Sequence, residues 1–409
     1  VRESGEQVVD QGLDGESRLH AILIRGWLVF VLTASVLLLH FTIIPNTVPT
    51  HGTRLANGQP VGRDFLLFYA TGTLVRQGRP AAAYDDAALS AAESAIVGMP
   101  ITGLRWPYPP GLLLVTGALA HLPYLAAFVA WIAVGVGSLA FIAWRLTRWA
   151  AAPVLLPLCP AVSFCVMTGQ FGILAAALAG AGFLALPRRP ALAGVFFGIL
   201  TLKLQLAVLL PFGLLGARAY RALAAMAATA GLLQIIGLGL FGTQTAHAFL
   251  GQGSSALAVI AHAPGLLTRI PTVYSAGIEA GGGQAGALEL QAATALLAVV
   301  VVWTVWRRTD DLALRALAWA AGLPLAVPYL FDYDLAIFVV PLAALARRHR
   351  LANADWASAA VMTALWSAAP LVRPLAAAAG FQVGPLGAAV LLLFALRRSG
   401  ASEARPRLG

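Results

Sequence analysis

Four short stretches of this chain set polar groups into apolar surroundings. Gly62-Arg63-Asp64-Phe65-Leu66-Leu67-Phe68-Tyr69 places one carboxylate beside an aromatic and aliphatic run. Thr168-Gly169-Gln170-Phe171-Gly172 interrupts two apolar runs with an amide, and Leu200-Thr201-Leu202-Lys203-Leu204-Gln205 carries the only lysine among 27 lysines and arginines. Phe331-Asp332-Tyr333-Asp334 puts two carboxylates around a tyrosine. A positioned carboxylate takes a proton from a hydroxyl. A lysine ammonium is a point charge suited to a phosphate.

Each stretch also has a structural reading. Asp64 fits the N-cap of a helix starting at Phe65, a role compatible with that of a base. Lys203 costs roughly 2.5–3.5 kcal/mol at the middle of a spanning helix, unless its stem carries the ammonium to an interface. Gly169-Gln170 reads as a tight turn. As a site element, Gly169 would let a ligand approach the backbone while Gln170 binds a hydroxyl or phosphate. Asp332 and Asp334 read either as a solvated outer turn or as acids that hold sugar hydroxyls or orient an acceptor.

The elements that position these groups follow from composition. The 409 residues are 59% hydrophobic and 11% charged, with a mean hydropathy of +0.81, against roughly 25% charged in soluble domains. The apolar runs have helix length and lack the ten-residue alternation of a membrane barrel, so the fold class is all-α and polytopic in the membrane. The net charge of +10 sits in short arginine clusters between apolar runs. Such clusters turn loops toward the cytoplasm, and no nucleic-acid partner is expected. Cys159 and Cys165 fall within one apolar run and are expected as buried thiols. The histidines lack metal-ligand spacing, and there is no Walker A loop or dinucleotide-binding glycine pattern. No metal or cofactor is expected, and the aspartate pair is weak evidence for a divalent cation. With no cytosolic nucleotide-binding domain, an enzyme of this type would draw an activated donor from the membrane.

Residues 1–25 read as a polar cytoplasmic tail, 26–398 as one transmembrane domain and 399–409 as a second cytoplasmic tail. Gly26 to Pro45 suffices for one span and is read as an uncleaved anchor, which puts 46–108 outside. That segment reads as two helices lying on the membrane surface, one carrying Asp64 and Tyr69, the other, over Ala81 to Val97, carrying Tyr84, Asp85, Asp86 and Glu93. Residues 244–285 form a second polar outer segment. About 11–13 spanning or re-entrant helices are expected. With Arg145, Arg148, Arg188, Arg189, Arg218 and Arg221 all inside, 110–144 crosses once and 191–217 goes out and back as two short helices. Asp64, Gln170, Lys203 and Asp332 then share the outer face.

Taken in order, these elements resemble glycosyltransferase family 87, polyprenyl-phosphate-dependent enzymes of the GT-C class. The resemblance rests on Asp64-Phe65-(x3)-Tyr69-(x8)-Gly78-(x5)-Tyr84-Asp85, then Tyr108-Pro109-Pro110 and Gly169-Gln170. It continues through Arg188-Arg189-Pro190-(x3)-Gly194-(x8)-Lys203 and Pro328-(x3)-Asp332-Tyr333-Asp334-(x6)-Pro341. It implies inverting transfer of a sugar from a polyprenyl-phosphate donor to a lipid or glycan acceptor on the outer face of a bacterial-type inner membrane. Asp64 would be the general base. Lys203, with Gln170 and Gly169, would hold the donor phosphate, and Tyr69, Tyr84, Asp85, Asp332, Tyr333 and Asp334 would contact acceptor or sugar. Mannosyltransferase relatives carry Trp-Asp-His-His where this chain has Phe331-Asp332-Tyr333-Asp334, so mannose and other hexoses or pentoses all stay open. A transporter or flippase of lipid-linked saccharides is the alternative reading; it calls for internal repeats, and none is visible.

Overall fold

The computed structural model describes residues 22–403 except 24, 25, 28, 103, 104, 252–256, 258–260, 263 and 350–354. Most of the two expected tails lies outside the described residues. The main helices, in chain order, are α1 (Val29–Asn46), α2 (Arg63–Arg76), α3 (Asp86–Val97), α4 (Pro110–Leu119), α5 (Tyr124–Thr147), α6 (Pro160–Thr168), α7 (Gly172–Ala185), α8 (Pro190–Ala207), α9 (Leu210–Gly216), α10 (Tyr220–Gly251), α11 (Gly283–Arg308), α12 (Leu312–Ala326), α13 (Val339–His349), α14 (Trp356–Ala379) and α15 (Gly384–Glu403). No strand forms among the described residues, and the all-α expectation holds. Among the described residues six helices, α1, α5, α8, α10, α11 and α14, are long and apolar enough to cross a membrane.

The helices share two distinct ends. Arg347 at the end of α13 donates to the Leu146 carbonyl at the end of α5, and Arg348 pairs with Asp311 between α11 and α12. The Trp306 ring near the end of α11 lies over Gly213 of α9, and Gly194 near the start of α8 lies against Ala222 of α10. The arginine-rich loops after α5, α7, α9, α11 and α13 therefore gather at one end. The other end of α5, about 36 Å away at 1.5 Å per residue, is held by the Tyr124 hydroxyl on the Val61 carbonyl, three residues before Asp64.

Within this frame α8 is broken by a 3-10 turn at Thr201–Lys203, and α9 returns toward the arginine end. Trp319 of α12 donates its indole N–H to the Leu206 carbonyl at 3.0 Å, supplying a donor where the regular helix ladder has been interrupted. Irregular backbone at this depth is tolerated because protein, and not lipid, surrounds it.

The segment ahead of α4 differs from the expected pair of surface helices. α2 buries Phe65, Leu66, Leu67, Phe68, Ala70 and Leu74, which occupy more than one face. It is a core helix, packed on α4 and α5 through an aromatic cluster that includes Trp106, Tyr108, Phe128 and Trp131. Full burial of a phenylalanine side chain stabilises by roughly 1.5–3 kcal/mol, so Phe65 and Phe68 alone fasten this helix firmly. The expected helix over Ala81 to Val97 begins later, at Asp86, after a 3-10 turn at Pro80–Tyr84. Cys159 and Cys165 are free and buried, as expected.

Candidate functional site

Asp64 is not an N-cap. α2 starts two residues earlier than expected, its cap position is Gly62, and no side chain caps it. Gly62 has φ +59°, and a Cβ there would lie 2.5 Å from the Phe128 ring, so chain direction and packing both require glycine. This sharp entry puts Asp64 in the first helical turn, where the helix dipole favours a carboxylate.

Asp64 is partly exposed, and its Oδ2 accepts a 2.9 Å hydrogen bond from Gln170 Nε2. The opposite end of that amide, Oε1, accepts from the Tyr108 hydroxyl at 3.2 Å. Both ends of Gln170 are thus engaged, and the amide serves as a strut between α2 and the Tyr108-Pro109-Pro110 turn. Gly169 has φ +76°, and a Cβ there would sit 2.4 Å from the Phe65 Cβ. Its missing side chain admits the α2 backbone; the ligand expected at this point is replaced by the helix that carries Asp64. The Gly169 carbonyl accepts from the Trp131 indole at 3.0 Å, which fixes the turn further.

Lys203, at the break in α8, is 2% exposed and ion-paired with Asp334, itself fully buried. Its ammonium also faces the rings of Tyr333 at 5.3 Å and Tyr108 at 6.0 Å. Asp334 Oδ2 further accepts from the Phe331 backbone N–H at 3.1 Å. The ammonium expected to meet a phosphate is enclosed by its own protein.

A second ion pair lies beside the first. Asp332 is held side-on by Arg269, with Nε to Oδ2 at 3.1 Å and Nη2 to Oδ1 at 3.0 Å. The Asp332 backbone N–H returns a 2.9 Å bond to the Arg269 carbonyl. Asp332 and Asp334 are both buried, in place of the solvated turn that was one of their two readings. Tyr333 is buried between them and stacks on Phe331 with ring centroids 5.0 Å apart.

Burial raises the Asp64 carboxyl above its ordinary range, while the Gln170 hydrogen bond and the charges of Arg269, Arg63 and Lys203 pull it back. The structure therefore gathers Asp64, Gln170, Lys203, Asp332, Tyr333 and Asp334 into one electrostatic neighbourhood, with Tyr108 and Arg269 added. The other expected residues have structural work. The Tyr69 hydroxyl donates to the Leu122 carbonyl at 2.8 Å, the Tyr84 hydroxyl to the Tyr108 carbonyl at 2.9 Å, and Asp85 caps α3 by accepting from Ala88 N–H at 2.8 Å.

Two charged residues stand out only in three dimensions. Arg269 is the sole lysine or arginine between Arg221 and Arg307, and it falls in a segment read as an outer loop, where basic residues are disfavoured. That isolation was the signal. Glu93, on the inner face of α3, is fully buried with neither carboxyl oxygen hydrogen-bonded among the described residues.

A cavity of about 910 Å³ opens beside this charged group. Tyr108, Pro110, Leu202, Gln205, Phe249 and Tyr329 are among its lining residues, so its wall reaches both chain neighbours of Lys203. Leu204, Leu238 and Leu250 on the same wall are exposed outward, which leaves the cavity bounded by apolar surface. No group of three or more metal-ligating side chains occurs among the described residues.

The fold and site define a multi-pass, all-α membrane protein with a buried charged cluster beside an apolar cavity at the end opposite its arginine loops. The family model for Glycosyltransferase family 87 matches residues 106–328, more than half of the chain, and the chain belongs to that family. It is therefore a membrane glycosyltransferase. No curated protein and no solved structure matches it. The matched region includes Tyr108, Gln170, Lys203 and Arg269, and leaves out Asp64, Asp332 and Asp334.

Proposed function

We propose that the protein transfers a hexosyl or pentosyl group, mannose being one such sugar, from a polyprenyl-phosphate donor to a lipid or glycan acceptor, with inversion. The observation that carries this is the position of Asp64: a carboxylate with one oxygen fixed by Gln170, a raised proton affinity, and two ion pairs within its electrostatic reach. The reaction is a single displacement. Asp64 takes the acceptor hydroxyl proton, the acceptor oxygen bonds to the anomeric carbon, and the bond from that carbon to the phosphate oxygen breaks. Its electron pair leaves with the polyprenyl phosphate.

The 910 Å³ cavity has the apolar wall that an isoprenoid chain needs. Cationic charge beside it stabilises the leaving phosphate, whose charge grows in the transition state. The Lys203–Asp334 pair, enclosed and neutral as a whole, holds the Asp332-Tyr333-Asp334 turn in place beside the cavity. Arginine loops at the opposite end support a site on the outer, periplasmic face of the inner membrane through the positive-inside rule, in keeping with a GT-C-like arrangement. No cofactor is invoked.

The test is Asp64→Asn in purified protein supplied with radiolabelled polyprenyl-phosphate sugars. Asparagine keeps an oxygen for Gln170 and leaves folding intact. Loss of a general base lowers turnover by roughly 10²–10⁴-fold. An Asp64→Asn enzyme with wild-type turnover would overturn the assignment.

A further inference from the structure

Lys203 and Arg269 are the cations that pair with the buried aspartates of the site, and they differ in how much of each is open. Lys203 is 2% exposed, paired with Asp334 and set against two tyrosine rings. Arg269 keeps 28% of its side chain exposed although its partner Asp332 keeps only 4%. A guanidinium has five N–H donors in a rigid plane. Two of them, on Nε and Nη2, go to Asp332. The remaining donors, the Nη1 pair and the second Nη2 hydrogen, take no acceptor among the described residues, and the planar fork aims them away from Asp332.

We propose that Arg269, and not Lys203, contacts the phosphate of a lipid-linked donor, offering the edge of its guanidinium that Asp332 leaves free. The inference rests on the polyprenyl-phosphate reading above. Arg269 is fixed for the purpose. Asp332 orients the fork and is itself tied by the Tyr333 backbone N–H at 2.9 Å, and the rings of Phe331 and Tyr333 lie 5.5 and 5.8 Å from the guanidinium carbon. Phe331 in turn packs edge-on against Tyr329, a lining residue of the apolar cavity. A donor whose isoprenoid chain lies in that cavity thus brings its phosphate toward the open face of Arg269. The same arginine lowers the proton affinity of Asp64, which puts the base and the phosphate site within one field. As the bond to the anomeric carbon breaks, negative charge builds on the phosphate, so the contact strengthens in the transition state. In this scheme the Lys203–Asp334 pair is a positioning element that holds the Asp332-Tyr333-Asp334 turn against the break in α8.

The experiment measures binding of a long-chain polyprenyl phosphate and of the matching polyprenol to full-length protein in detergent, with inorganic phosphate as competitor. Wild type prefers the phosphorylated lipid, and inorganic phosphate at equal concentration does not displace it. Arg269→Gln loses that preference by on the order of tenfold or more, the weight of a charge-assisted contact. Arg269→Lys restores part of it, since an ammonium cannot fork. The paired change Lys203→Met with Asp334→Leu keeps it. An Arg269→Gln protein that melts like wild type and still prefers the phosphorylated lipid overturns the proposal, as does loss of preference in the Lys203/Asp334 pair alone. Equal displacement by inorganic phosphate overturns the lipid as the source of the phosphate. If wild type itself does not distinguish the two lipids, the donor reading falls, and this inference with it.

Discussion

Gln170 Nε2 lies 2.9 Å from Asp64 Oδ2 and joins residues 106 positions apart in the chain. Its Oε1 is simultaneously held by Tyr108, so the amide cannot rotate without losing a bond at each end. Asp64 therefore has one oxygen committed to the scaffold, and under the proposed mechanism proton transfer falls to the other.

That arrangement makes the acid limb of the pH–rate profile a readout of Gln170. As the proposed base Asp64 works ionised, so activity is expected to fall as pH drops through its carboxyl pKa, which burial already raises. Gln170→Glu keeps an acceptor for Tyr108 but sets a second carboxyl against Asp64. Like charges in contact raise one pKa further, and the acid limb moves up by on the order of one pH unit or more. A kcat/KM profile whose acid limb stays in place would show that Gln170 does not touch the working base.

The Lys203–Asp334 pair, with 2% and 0% of the side chains exposed, calls for a double-mutant cycle. Lys203→Met alone leaves Asp334 buried and uncompensated, and Asp334→Leu alone does the same to the lysine. Each single change destabilises by about 3–5 kcal/mol. The double change removes both charges and recovers most of that loss, because apolar groups of similar volume replace a buried ion pair at little net cost. Thermal unfolding midpoints in detergent decide the matter: costs that simply add would mean the two groups do not depend on each other.

The sequence marks these groups unequally. Lys203 and Gln170 interrupt apolar runs, and the cost of burying a polar group is visible from its immediate neighbours. Their partners are not, because Asp334 is 131 residues from Lys203 and Asp64 is 106 from Gln170. Helical class and the arginine-marked end follow from composition and loop charge, which are local properties. α2 reads as a surface helix in isolation because its partners α4 and α5 come later in the chain and cover the faces that would meet lipid and water. Tyr84 and Asp85 look like ligand-binding groups in one dimension, and in three they also tie α3 and its entry turn to the Tyr108 carbonyl and the Ala88 N–H. Arg269 is marked only by its isolation in an outer segment, and its partner Asp332, 63 residues further on, is not evident from its neighbours.

Glu93 supplies a prediction about stability that is separate from catalysis. Its carboxyl is pushed up from 4.5 to about 7, first by burial, with Arg63 opposing and the Asp64 charge adding to the rise. Between those two values the unfolded chain has released the proton while the folded protein still holds it. The folded state therefore binds more protons in that window, and stability declines as pH rises from about 4.5 to about 7, then levels off. The full benefit is present below the lower value and is lost as pH passes the upper one. Glu93→Gln imitates the protonated acid in shape and charge, so it flattens this decline and melts higher than wild type at about pH 8. Both differences vanish near about pH 4, where wild-type Glu93 is neutral in both states. Unfolding midpoints measured across this range provide the check: a Glu93→Gln protein that keeps the wild-type slope would mean that Glu93 is already ionised in the folded state, with a counter-charge or water reaching it beneath α3.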